Sequence, residues 1–316
     1  YDAENNPAKW NVNDEAWGVE SNSCHVVWFA PLPGESSFTK STYLDGVTIE
    51  GGSYSKNQNI DSKYMPQYGA GVYLDGSTNT VRNCIIRNNN AGMDTNDTQE
   101  HLGGGVYCKN GQVRYSLIYN NSAAKGGGVY VDGIGFVNAS MVSNNSASEG
   151  SGVYLKLQNE ASANYQILAT SVITNNTSRR NAAVYVDGAG IVEQNTIANN
   201  FTSNVTDAGS RTAGLYIKDA CTAVNNILWN NTLQQLNNGK KASVLAQIYA
   251  DGTSRNSALF YNNAISDVNS ASWNDTYQSN TFELSSSIIG KTFELGSKEQ
   301  YQYTDLDSCF MSADYR

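Results

Sequence analysis

A motif that returns seven times along the chain limits what it can fold into more than any other feature. Gly-Val-Tyr stands at 71–73, 105–107, 128–130 and 152–154. Variants follow at 183–185 (Ala-Val-Tyr), 214–216 (Gly-Leu-Tyr) and 247–249 (Gln-Ile-Tyr). The tyrosines are 34, 23, 24, 31, 31 and 33 residues apart. A second signature falls between them, apolar residues running into Asn-Asn. It reads IIRNN (85–89), LIYNN (117–121), MVSNN (141–145), VITNN (172–176), TIANN (196–200), ILWNN (227–231) and LFYNN (259–263), with VTIEGG (47–52) as an earlier copy. A fainter row lies five residues before the central apolar one: Val81, Val113, Val137, Leu168, Val192 and Ala223.

Each repeat therefore holds three short β segments, and the longer repeats read as that unit plus a loop. A coil of three short strands that returns above its own start predicts an all-β, single-stranded right-handed parallel β-helix. About 8–9 coils are expected, in a pectate-lyase-like architecture. Leucine-rich repeats are excluded by the missing leucine pattern and helical period, and propeller blades by the short repeat. All four prolines (7, 31, 33, 66) precede the regular repeats, as inner strands that need every N–H demand. The spacing divides the chain into an N-terminal extension or cap (1–24), the β-helix (25–263) and C-terminal coils with a cap (264–316).

Composition narrows the function classes. Net charge is -9 and no long basic run exists, which argues against a nucleic-acid partner. No apolar run reaches the length of a membrane-spanning helix. The five cysteines are odd in number and form no CxxC, so they read as small buried side chains. The chain begins at Tyr1 and is read as processed.

HVVWF (25–29) and YLDGVTIEGG (43–52), followed by repeated GGGVY and NN(S/T)A, resemble the secreted β-helix proteins of Bacteroidota. Their repeat is similar to that of polymorphic outer-membrane proteins, with signatures GGA(I/V/L) and FxxN. Here GGGV matches the first. Ile118 to Asn121 and Val142 to Asn145 keep the spacing of the second, with Phe replaced. The resemblance spans roughly residues 25–263 and implies a secreted or cell-surface setting, in a family that includes adhesin-like proteins. The final CFMSADYR (309–316) resembles the point where such chains continue into another strand.

Alternation assigns the faces. In Val129-Tyr130-Val131 the valines face inward and the tyrosine outward. Stacked coils should then carry Tyr73, Tyr107, Tyr130, Tyr154, Tyr185, Tyr216 and Tyr249 as one exposed ladder. Two residues on come Asp75, Lys109, Asp132, Lys156, Asp187, Lys218 and Asp251, whose charges alternate without exception. That pattern fixes register, because like charges at the coil spacing repel. The glycines of KGGGVYVD (125–132) are turn residues. No helix with Gly-Lys-Ser/Thr follows, which excludes a phosphate loop. Asn-Asn closes the third strand as a stacked amide ladder. Asn120 and Asn144 also fit the Asn-x-Ser glycosylation pattern, which bacterial turn chemistry explains as well. One outward row, Ile85, Leu117, Met141, Val172, Ile227 and Leu259, is apolar, as under a covering loop or at a contact surface.

Chemistry is confined to insertions and outer faces. Asp94, Asn96, Asp97 and Glu100 offer oxygen ligands suited to Ca²⁺, though their spacing fits no EF-hand and a solvated loop is the simpler reading. No other cofactor is indicated. Arg179 and Arg180 suit an acidic sugar or a solvated basic loop. His25 and His101 do not suggest a catalytic pair. The insertions 157–166, 201–211 and 232–246 are polar and uninformative. Tyr107, Tyr130, Tyr154, Tyr185 and Tyr216 suit stacking on sugar rings, so the expected function is non-catalytic binding of a polysaccharide or of a host or matrix surface molecule. A polysaccharide lyase or glycoside hydrolase acting on an acidic polysaccharide is the alternative. Lysines interleave the outer acids, which favours a structural use for them.

Overall fold

The computed structural model describes residues 25–29, 41–53, 68–93, 100–156, 166–203, 212–218, 221–237, 240–250, 258–261, 263–265, 282–285 and 288–289. These residues build a three-sided parallel β-helix. The first sheet has eight strands, from Val27–Phe29 to Ile248–Ala250, and carries the Val-Tyr-Val motif. The second sheet has nine, from Thr42–Asp45 to Phe282–Ser285, and the third has nine, from Thr48–Glu50 to Ile288–Ile289. Every pairing in these three sheets is parallel and joins one coil to the next. Stacking thus continues past residue 263 in both the second and third sheets. Among the described residues no helix is long and apolar enough to cross a membrane.

The core is a set of inward columns. Val72, Val106, Val129, Val153, Val184 and Leu215 stack in register on the first sheet, and all are fully buried. The faint row from Val81 to Ala223 fills the second sheet, and Ile86, Ile118, Val142, Ile173, Ile197 and Leu228 fill the third. Small or branched side chains suit this site because inward residues from three sheets share each layer, as Val129, Val131, Val137 and Val142 do. Cys84, Cys108 and Cys221 occupy such positions as free thiols, and burial pushes Cys108 and Cys221 up to about 12. Cys24 and Cys309 lie outside the described residues, as do all four prolines.

Two side-chain ladders hold the corners. At the end of the third sheet the two asparagines divide the work. The first of each pair (Asn88, Asn120, Asn144, Asn175, Asn199, Asn230) turns the chain at φ 52 to 57. The second is buried and binds the coils on either side, in a line Asn89–Asn121–Asn145–Asn176–Asn200–Asn231 that ends on Gln247. A second ladder, between the second and third sheets, runs Cys84–Ser116–Ser140–Ser171–Asn195–Asn226–Asn263.

That second ladder corrects the phase of LFYNN. Ala258–Tyr261 pairs with Cys221–Val224 in the second sheet, so Asn263 belongs with Asn226 and not with Asn231. Leu259 therefore leaves the outward row of the third sheet. Within that row Leu117, Met141 and Val172 stand 41–45% exposed, while Ile85 and Ile227 are half-buried.

The expectation of three strands per coil also needs an addition. A fourth, five-stranded sheet lies outside the first, from Ser146–Glu149 through Thr177–Asn181, Phe201–Thr202 and Thr232–Asn237 to Lys240–Leu245. The insertion 232–246 is the antiparallel hairpin that closes it.

Candidate functional site

Tyrosines and charged side chains gather on the first sheet and on the wall that covers it. Register places Tyr73, Tyr107, Tyr130, Tyr154, Tyr185, Tyr216 and Tyr249 in one column. Successive rings are stacked with centroids 4.6–5.6 Å apart. The column is not the exposed ladder expected above. Tyr107, Tyr130, Tyr154, Tyr185 and Tyr216 are only 1–8% exposed, so none offers a face to a sugar ring.

The cover is the chain that links each third strand to the next coil. It runs back across the first sheet, with bridges joining Tyr68, Leu102, Lys125 and Glu149 in a column of their own. Leu102, Ala182 and Tyr68 pack against the rings. The glycine triplet makes this close pass possible. Gly126 turns at φ 64, and a methyl group there would sit 2.7 Å from Tyr130 Cβ.

The phenols find partners at the column's edge. Tyr107 donates to Asp132 Oδ2 at 2.6 Å, and Tyr154 donates to Asp187 Oδ2 at 3.1 Å. Burial, reinforced by Asp132 and Asp187, holds the phenols of Tyr107 and Tyr154 far above the ordinary tyrosine value. Tyr73 and Tyr130 are raised by burial first and neighbouring carboxylates second. A group raised in the folded state contributes stability that is full below its unfolded value and lost as pH climbs above it. The protein should therefore lose stability as pH rises past the ordinary tyrosine value of 10.0. Tyrosinate absorbance from the column should appear only together with the loss of far-ultraviolet ellipticity. Full ionisation of an intact fold would contradict the packing.

The charged column shares these acids. Asp75, Lys109, Asp132, Lys156 and Asp187 lie in register on successive strands. Lys109 pairs with Asp75 at 3.1 Å and Lys218 with Asp187 at 2.9 Å. Such half-exposed pairs are worth at most about 1 kcal/mol each. Asp251 lies outside the described residues.

On the wall itself Lys125 pairs with Glu100 at 3.3 Å and lies 5.8 Å from the Tyr154 ring centroid. Burial raises the Glu149 carboxyl above the ordinary glutamate value, against the pull of Lys125 and Arg180. The wall then breaks register at one place. Ala147 faces Ser178 but Glu149 faces Asn181, so Ser148 is opposed by Arg179 and Arg180 together. Pairing is back in step at Val153 and Val184. This β-bulge leaves both arginines exposed. Asp94, Asn96 and Asp97 lie outside the described residues, and Glu100 is committed to Lys125. Among the described residues no three of His, Cys, Asp and Glu are grouped to hold a metal ion.

A second exposed surface, not anticipated from the repeats, lies where the second and third sheets meet. Arg82 sits 4.4 Å over the Tyr43 ring and pairs with Asp45 at 2.8 Å. Arg114 is in register beside Arg82. Tyr115, the most exposed large hydrophobic side chain described at 59%, takes a φ of 50 in a column where other coils place Asn83 and Asn225. The sequence signal was an aromatic residue at a turn position that suits asparagine.

No protein family matches the chain, and no curated protein does. Among solved structures it is similar to a pectin methylesterase crystallised in complex with hexasaccharide VII, with a TM-score of 0.40 and 9% identity. That match covers 92% of this chain and 98% of the esterase chain. A similarity of this size assigns no catalytic residue here.

Proposed function

We propose that this chain is an extracytoplasmic, non-catalytic recognition rod that binds an acidic glycan of a polysaccharide or of a host or matrix surface. The bulge that exposes Arg179 and Arg180 side by side carries the reading. Bulges re-aim side chains at the edges of sheets and beside sites, and adjacent guanidinium groups suit paired carboxylate or sulfate oxygens. Glu149 acts on Arg180, and the other nearby acids are engaged. Asp132 and Asp187 accept from tyrosines, Asp75 and Asp187 pair with lysines, and Glu100 pairs with Lys125. The likeness of the repeats to surface β-helix proteins of Bacteroidota supports the cellular setting.

One observation favours the second reading, a polysaccharide lyase or glycoside hydrolase. Glu149 is a carboxyl raised by burial beside Lys125, the environment of a general acid. A glycan array carrying neutral, carboxylated and sulfated oligosaccharides separates the two readings. The acidic set should bind, and Arg179→Ser/Arg180→Ser should weaken it by about tenfold or more without lowering Tm. Absence of any acidic binder would sink the recognition reading. Appearance of unsaturated uronate or new reducing ends would replace it with the enzymatic one.

A further inference from the structure

The tyrosine column does not stop at Tyr73. Trp28 stacks on Tyr73 at 4.5 Å with planes 15° apart, and the indole is 42% exposed. Eight aromatic rings thus stand in continuous contact from a solvent-facing indole along a largely buried column. We propose that this stack is a redox relay, taking a one-electron hole at Trp28 and settling it on Tyr107 or Tyr154.

Three features carry the inference. Stacked rings at contact distance share π overlap, so an electron passes between neighbours in short steps. Indole and phenol are the side chains most readily oxidised by one electron, and here they alternate with nothing else. Oxidation turns a phenol into a strong acid, so a tyrosine holds a hole only where a base takes its proton. Tyr107 and Tyr154 have such bases in Asp132 Oδ2 and Asp187 Oδ2.

The step balances. A one-electron oxidant in solvent, such as a high-valent metal complex or an inorganic radical, takes an electron from Trp28 and leaves an indole radical cation. An electron handed along the stack refills the indole. Tyr107 supplies it and passes its phenolic proton along the 2.6 Å bond to Asp132. The product is a neutral tyrosyl radical beside a protonated carboxyl, with Trp28 restored and the oxidant reduced by one electron. The same exchange runs at Tyr154 and Asp187. Residues exposed elsewhere, such as Met141, would be spared the oxidant's attack.

A ruthenium(III) polypyridyl oxidant generated by laser flash tests the relay on the full chain. Tyrosyl absorbance should grow as the indole radical decays, and more slowly in deuterated buffer. Trp28→Leu should cut the tyrosyl yield several-fold. Tyr107→Phe/Tyr154→Phe keeps every ring in the stack but removes the proton donors, and should lengthen the indole radical's life. An unchanged tyrosyl yield in Trp28→Leu overturns the relay. So does a yield abolished by Tyr43→Phe/Tyr115→Phe, which would place the radical on the surface.

Discussion

Asn145→Ala should cost about 3–5 kcal/mol, a large share of the about 5–15 kcal/mol that holds a typical domain folded. Asn145 Oδ1 accepts from both the backbone N–H and the amide of Asn121, at 2.9 and 3.1 Å. Its amide donates to the Ile118 carbonyl at 3.0 Å and to Asn176 Oδ1 at 3.1 Å. Alanine removes all four bonds in a corner where Asn121, Asn145 and Asn176 are at most 1% exposed. Asn121 Nδ2 keeps the Ile86 carbonyl and Asn176 Oδ1 keeps the Asn145 N–H, but the Asn121 N–H loses its acceptor. Each lost bond is worth about 0.5–1.5 kcal/mol net, and the orphaned N–H costs about 1–3 kcal/mol more. Asn145→Asp is a useful companion. It keeps the acceptor for Asn121 but aims an oxygen at two other oxygens, so it should be no milder than alanine. Urea melts of the three proteins decide the matter. A loss below about 1 kcal/mol for Asn145→Ala would mean that the ladder accompanies the turn without holding it.

Gly128→Ala should destabilise by about 3 kcal/mol, through backbone and not through lost contacts. A methyl group at Gly128 would meet the Gly152 carbonyl oxygen at 2.6 Å and Val142 Cγ1 at 2.7 Å. The carbonyl cannot retreat, because it accepts the Val129 N–H at 2.9 Å and so sets the spacing between coils. One coil shows how the conflict is avoided. At Gly152 the facing carbonyl is that of Ala183, just after the Arg179–Arg180 bulge. The Gly152 and Val153 N–H groups both turn to it, and a methyl group on Gly152 would stand 3.1 Å from it. Gly152→Ala should therefore cost less than Gly128→Ala. Matching melting curves for Gly128→Ala and the unaltered protein would refute the steric account.

Alternation made the fold legible, since it names the inward residue of every strand without reference to length. It could not phase LFYNN, because Asn-Asn serves two different corners. The residues after the pair decide the corner: Ala264-Ile265 continues the column of Ile227-Leu228. The burial of the tyrosines was hidden for a different reason. Their cover is a linker of Ala, Lys and Gly, which shows no apolar period, and period is all that a sequence offers for judging contact. The two arginines were visible as residues but not as a bulge. The count from Asn176 to Val184 equals that from Asn145 to Val153, so the slip and its reversal leave no trace in length.

The charge column differs from every other column in one respect. Valines, tyrosines and asparagines repeat once per coil, whereas Asp and Lys repeat once per two. Gain or loss of a single coil by unequal recombination would leave the core, the stack and the ladders in phase. It would also set Lys against Lys or Asp against Asp at the seam. Two coils together would leave no scar. The rod thus has a parity, and its length should evolve most smoothly in even steps.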